Sequence, residues 1–140
     1  MVSFPKAISL GFSGYVNFRD RSTRAEYWWW SLFGFIASIF GVILDVSIFG
    51  LIAGNWDAAD WSLFQNLIGL ALFLPGLAVT VRRLHDINKS GWWIMLSIFV
   101  FPVIYLACKD SDIGDNDYGS SKKYPYSNDS GKDIIFDEEE

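Results

Sequence analysis

The residues best equipped for chemistry in this 140-residue chain crowd into one pentapeptide, Arg82-Arg83-Leu84-His85-Asp86, which holds its only histidine. A His–Asp pair could move protons or grip a ligand. Adjacent helical residues point about 100° apart, however, so the spacing favours Arg82 with Asp86 at i,i+4 over His85 with Asp86. Arginines also suit bidentate contact with phosphate, and such a group at an anionic inner leaflet would meet lipid headgroups. Arg19, Arg21 and Arg24 form a second basic group. The run Thr23-Arg24-Ala25-Glu26 has capping-box form, with Thr23 accepting from the Glu26 amide and the Glu26 carboxylate reaching back to the Thr23 amide. One histidine and one cysteine, Cys108, give no metal-ligand spacing and no internal disulfide. No phosphate-cradling Gly-rich loop, Ser/His/Asp set or paired catalytic carboxylates stand out, so neither enzyme activity nor a cofactor is expected.

The elements that must position these residues are three nearly uncharged stretches: 27–53, broken only by Asp45, then 61–81 and 92–108. A hydrocarbon core of roughly 30 Å takes about 20 helical residues, so each could span a bilayer, the last only just. None has the polar face, at a period of 3.6, that a water-soluble bundle requires. All seven tryptophans stand at the ends of these stretches: Trp28, Trp29, Trp30, Trp92 and Trp93 on one side, Trp56 and Trp61 on the other. Indole rings favour the headgroup level, where an apolar body and an N–H donor both find partners. Asp45 lies about 27 Å of helix beyond Tyr27, near the outer edge of the bilayer. Gln65 and Asn66 reach a similar depth from the second span, which suggests an Asp45–Gln65–Asn66 cluster joining two helices, or alternatively a polar path. Asp60 is placed to cap the second span, and Pro75-Gly76 to bend it, with Thr80 satisfying a freed carbonyl.

Positive charge falls before the first span and after the second, at Arg82, Arg83 and Lys89, with none between them. The bias toward cytoplasmic Lys and Arg therefore puts the amino terminus and the 82–91 loop inside. Residues 92–108, with Pro102 near the middle, are expected to cross rather than return as a re-entrant hairpin, leaving the tail outside. Phe4, Ile8, Phe12, Tyr15 and Val16 suggest a helix over 4–18 lying on the membrane surface. Residues 109–140 carry four Lys and Arg against ten Asp and Glu, and this acidity speaks against nucleic-acid binding. Poor in apolar residues, the tail is expected to be largely disordered.

Three blocks stand in order between these stretches: Phe18-Arg19-Asp20-Arg21-Ser22-Thr23-Arg24-Ala25-Glu26-Tyr27-Trp28, then Arg82-Arg83-Leu84-His85-Asp86 with Ser90-Gly91-Trp92-Trp93, and Gly114-Asp115-Asn116-Asp117-Tyr118-Gly119. Over roughly residues 12 to 119 the chain resembles the small bacterial inner-membrane proteins grouped as domain of unknown function 805, although Asp20 replaces a usual glycine and Ile113 a common proline. The resemblance implies a multi-pass inner-membrane location, a compact helical bundle with the Arg-rich blocks at one interface, and no assigned activity. It also implies that 114–119 belongs to the domain; packing near Arg82 to Asp86 would return the tail to the cytoplasmic side.

The expected fold is an all-α membrane protein: about three transmembrane helices, an amino-terminal interfacial helix, a membrane domain over 1–119 and an acidic tail over 120–140. Its expected role is non-enzymatic. Arg19, Arg21, Arg24, Arg82, Arg83, His85 and Asp86 would bind anionic membrane lipid or a partner protein. The alternatives are a subunit of an oligomeric transporter or channel, with the chain as a homo-oligomer and Asp45 in its path, and a lipid-headgroup enzyme using His85 and Asp86.

Overall fold

The computed structural model describes residues 2–50, 62–98, 104–105 and 107–124. Trp56, Asp57, Asp60, Trp61 and the tail beyond Tyr124 lie outside them.

Helix α1, Phe4–Ser13, begins with proline in its first turn, where the missing N–H costs no hydrogen bond. Its small residues Ala7 and Gly11 face inward. A Cβ at Gly11 would stand 2.1 Å from the Trp30 ring, so a glycine is what lets α1 lie across the next helix. Phe12 meets the same ring edge-on at 5.3 Å. The helix ends at Ser13, earlier than its apolar stripe suggests, because the chain must turn at Gly14 to make room for Arg82.

Helix α2, Arg24–Asp45, is opened by Thr23, whose Oγ1 accepts from the Glu26 amide at 3.3 Å. Only this half of the capping box forms. The Glu26 carboxylate turns away to Arg82, at 3.7 Å. A π-helical turn, Val46–Gly50, continues α2. Helix α3, Leu63–Asp86, starts on the carboxylate of Asp45, which accepts from the Phe64 and Gln65 amides at 2.9 Å each. The orphan amides of one span are thus capped by the other, a role expected of Asp60. Gln65 joins the spans a second time through Ser38 Oγ, at 2.7 Å, whereas Asn66 bonds back to Ser62 and does not join the cluster.

Pro75 lies inside α3 and cannot donate to the carbonyl four residues earlier, that of Ala71. The Tyr15 hydroxyl fills the gap, donating to Ala71 O at 2.7 Å. Thr80, expected in that role, bonds Gly76 O instead.

Two helical stretches among the described residues, Arg24–Gly50 and Leu63–Asp86, are long and apolar enough to cross a membrane. Their most apolar windows are only 11% and 17% buried, which a core helix of a water-soluble protein would not tolerate. Phe35, Leu70 and Phe73 point outward, as lipid-solvated side chains do.

The third expected stretch, 92–108, lies partly outside the described residues. Gly91–Ile98 forms a 3-10 helix that starts against α3, where a Cβ on Gly91 would lie 3.1 Å from Val81 and 3.8 Å from His85 Nε2. Ala107, near the far end of the expected span, accepts from Arg83 Nε at 3.3 Å. Both described flanks of this stretch therefore meet the same end of α3. The packed chain also continues past residue 119: Ser121 is buried, and the Gly114 amide donates to Tyr124 O at 3.1 Å.

Candidate functional site: a polar knot where the two spans end

A helix leaves its last carbonyls without intrahelical partners, and at the end of α3 other parts of the chain supply them. Arg82 O accepts from the Ser22 amide at 3.0 Å, His85 O from Asn116 Nδ2 at 2.9 Å, and Asp86 O from the Asp112 amide at 3.0 Å. Asn88, with φ 53°, turns the chain away in a left-handed conformation that asparagine tolerates. Three segments distant in sequence thus converge on one helix terminus: the turn before α2, the end of α3, and residues 107–124, here called the clasp.

Arg21 is the centre of this convergence, 2% exposed, with all five of its N–H donors used. Nε donates to Asp86 Oδ1 at 3.1 Å. Nη1 donates to Gly114 O at 2.8 Å and Gly119 O at 3.1 Å, and Nη2 to Asp86 O at 3.1 Å and Asp112 O at 2.8 Å. The clasp wraps this guanidinium much as a loop wraps a cation. Gly114 at φ 67° and Gly119 at φ 111° turn their carbonyls inward from backbone conformations that L side chains rarely adopt.

Arg83 grips from the other side. Its Nη1 lies 2.6 Å from Asp86 Oδ2, Nε donates to Ala107 O, and Nη2 donates to Lys109 O. The Ser111 hydroxyl also donates to Asp86 Oδ2. One carboxylate thus serves two buried guanidiniums, and the surplus positive charge is balanced by main-chain oxygens, which suits the negative end of the α3 dipole. The i,i+4 pair of Arg82 with Asp86 does not form; Arg83 at i,i+3 and Arg21 take its place.

Arg82 faces Glu26 instead, with its guanidinium so close to Gly14 that a Cβ there would lie 2.0 Å from Nη1. Lys122 approaches the same carboxylate at 4.0 Å. Unlike Arg21, this group is under-bonded: Ser22 Oγ, both Glu26 oxygens, and Arg82 Nε and Nη2 are buried without hydrogen-bond partners. His85 lies flat on Tyr118, ring centroids 3.8 Å apart and 5° from parallel. Arg24 binds Cys108 O and Asp110, at 3.4 and 3.3 Å, while Arg19 stays exposed. Asp45, Gln65 and Asn66 lie at the opposite end of the spans.

At the rim, Lys123 Nζ bonds Asp110 Oδ1 at 2.7 Å. Burial pushes the Asp110 carboxyl up, but hydrogen bonds from Lys123 and the Ser111 amide, with the charges of Lys123 and Arg24, outweigh it and hold the group below its ordinary value. Burial likewise lowers Lys123, and Asp110 and Tyr124 more than reverse it. Among the described residues no three His, Cys, Asp or Glu side chains stand where they could hold a metal ion.

Of the expected site residues, the geometry brings together Arg21, Arg83 and Asp86 and sets Arg82 apart with Glu26. Ser111, Asn116 and Lys122 were not singled out; only the third block, 114–119, signalled that this part of the chain belongs with the arginines. The model for a family described as a protein of unknown function, DUF805, matches residues 15–120. The chain is similar to inner membrane protein YhaI of Escherichia coli K12, 36% identical over 114 residues that cover 79% of this chain and 89% of that one. It is also similar to inner membrane protein YhaH of the same organism, 32% identical over 78% of this chain and 89% of that one. No solved structure matches.

Proposed function

The chain belongs to the DUF805 family and is an integral inner-membrane protein, and from that premise we propose that it acts without catalysis, by binding anionic phospholipid beside its polar knot. The observation that carries this is the division of labour among its cations. Arg21 and Arg83 are fully engaged by Asp86 and main-chain carbonyls, whereas Arg19 remains exposed and Lys89 Nζ sits 5.1 Å above the Trp93 ring, beside a Trp92 that is 77% exposed. A cation on an indole at the end of a span has the make-up of an interfacial anchor, apolar in its body and positive at headgroup depth. Native mass spectrometry of the detergent-solubilised protein tests it: phosphatidylglycerol should be retained in preference to phosphatidylcholine, and Arg19→Gln with Lys89→Gln should abolish the preference. Equal retention of both lipids by the parent protein would overturn it.

The rival roles draw less support. A transporter subunit would need Asp45 free to meet an ion, but both of its oxygens accept from α3 amides. An enzyme acting through His85 and Asp86 would need a carboxylate able to take a proton, and Arg21, Arg83 and Ser111 already occupy that of Asp86.

A further inference from the structure

The clasp is held almost wholly by polar bonds. Ala107 is its only apolar residue among the buried core residues described; Ile113 is 51% exposed, and the apolar cluster of Leu84, Ile87 and Ile94 takes nothing from it. What it supplies instead is oxygen. Arg21 receives the carbonyls of Asp112, Gly114 and Gly119, Arg83 those of Ala107 and Lys109, and Arg24 the carbonyl of Cys108 with the carboxylate of Asp110. Without the clasp, Arg21, Arg24, Arg82 and Arg83 would share only Asp86 and Glu26 as acids, a net excess of two positive charges. Arg82 already presents an unbonded Nε and Nη2 edge. Such an edge on a guanidinium is the one that takes two oxygens of a phosphate side by side.

We propose that residues 107–124 cover a latent phosphate-binding site, and that a phosphate group competes with the clasp carbonyls for Arg21, Arg24, Arg82 and Arg83. The inference deepens the anionic-lipid role and rests on it only for the choice of probe. Two features make the exchange feasible. Carbonyl and phosphate oxygens satisfy the same donors, so opening need not leave buried N–H groups unmet, and the phosphate bonds, ionised on both sides and open to bidentate geometry, are the stronger. Little apolar surface opposes release: beyond Ala107 and the Tyr118 ring stacked on His85, the clasp presents the acidic run Asp110, Asp112, Asp115 and Asp117.

The full chain would be placed in nanodiscs of phosphatidylcholine, of phosphatidylcholine with phosphatidylglycerol, and of phosphatidylcholine with added inorganic phosphate. Amide exchange is then read at Asp112, whose N–H bonds Asp86 O only while the clasp is closed, with Asn116 and Gly119, which bond each other inside the clasp, as the internal reference. Exchange should quicken about tenfold where phosphate competes, the equivalent of one net charge-assisted hydrogen bond. A response to phosphatidylglycerol alone identifies a headgroup as the source; a response to inorganic phosphate as well identifies any phosphate. Asn116→Ala, which removes the bond to His85 O without touching an arginine, should open at a lower dose of either probe. Unchanged exchange in all three discs, for parent and variant, overturns the proposal. If phosphatidylglycerol is nevertheless retained in the mass spectrum, the lipid role survives it; if it is not, the inorganic phosphate arm still decides the latent site.

Discussion

Arg21 holds Asp86 twice, through Nε to its carboxylate and through Nη2 to its main-chain carbonyl, each at 3.1 Å. A single guanidinium thereby fixes both the side chain and the helix terminus that carries it.

Removing either partner should therefore be severe. Asp86→Ala leaves two buried guanidiniums without a counter-charge, and Arg21→Ala leaves the clasp carbonyls facing an empty space, each costing about 3–5 kcal/mol. Unfolding in mixed micelles would measure the loss. Methylguanidinium at non-denaturing concentration should restore part of the stability of Arg21→Ala and none of that of Asp86→Ala.

Tyr15→Phe removes one hydroxyl and orphans Ala71 O, the carbonyl that Pro75 leaves unbonded. A loss of about 1–3 kcal/mol is expected by the same unfolding assay, the cost of an acceptor left unmet on a span surrounded by lipid instead of water. In a Pro75→Ala background the cost should shrink, because an alanine N–H can reach that carbonyl.

Asp45→Ala strips the first turn of α3 of its cap and should cost about 1–2 kcal/mol, with Asp45→Asn losing less because one acceptor oxygen survives. If instead the residue lined an ion path, vesicle flux would fall in both variants with stability unchanged.

The rim latch predicts a pH dependence. The folded Asp110 value lies below the unfolded one, so its contribution is complete above the unfolded value of about 4 and is lost as pH falls through the folded value. Lys123 is raised, so its share is complete below about 10.4 and is lost as pH rises through the folded value. Amide exchange at Gly114, bonded to Tyr124 O, should quicken at both extremes, and Asp110→Asn should remove the acid limb.

Sidedness follows from both flanks of 91–108 meeting one end of α3. Cys108 and a cysteine placed by Asn88→Cys in a Cys108→Ser background should react with a membrane-impermeant maleimide from the same face, and opposite labelling would contradict the fold. Both positions are exposed, so accessibility does not limit the result.

Much of this was legible along the chain. The nearly uncharged runs over 27–53 and 61–81 declare lipid solvation because composition alone decides whether a helix face needs water, and Thr23 caps α2 through a contact three residues long. In the third stretch the apolar residues describe a solvent and not a direction. That its far flank lies beside α3 is set by Arg83 meeting Ala107 O.

What only the tertiary structure decided is which oxygen each arginine meets. The acceptors around Arg21 and Arg83 are chiefly main-chain carbonyls, which every residue owns and no sequence pattern marks; Arg21 lies 65 residues from Asp86 and 93 from Gly114. The same holds for Tyr15, 56 residues from Ala71. The sequence by itself determined that charged side chains would gather at one end of two membrane helices, since charge is expelled from hydrocarbon. Whether those charges face lipid or one another depended on long-range convergence, and the folded clasp turned them inward.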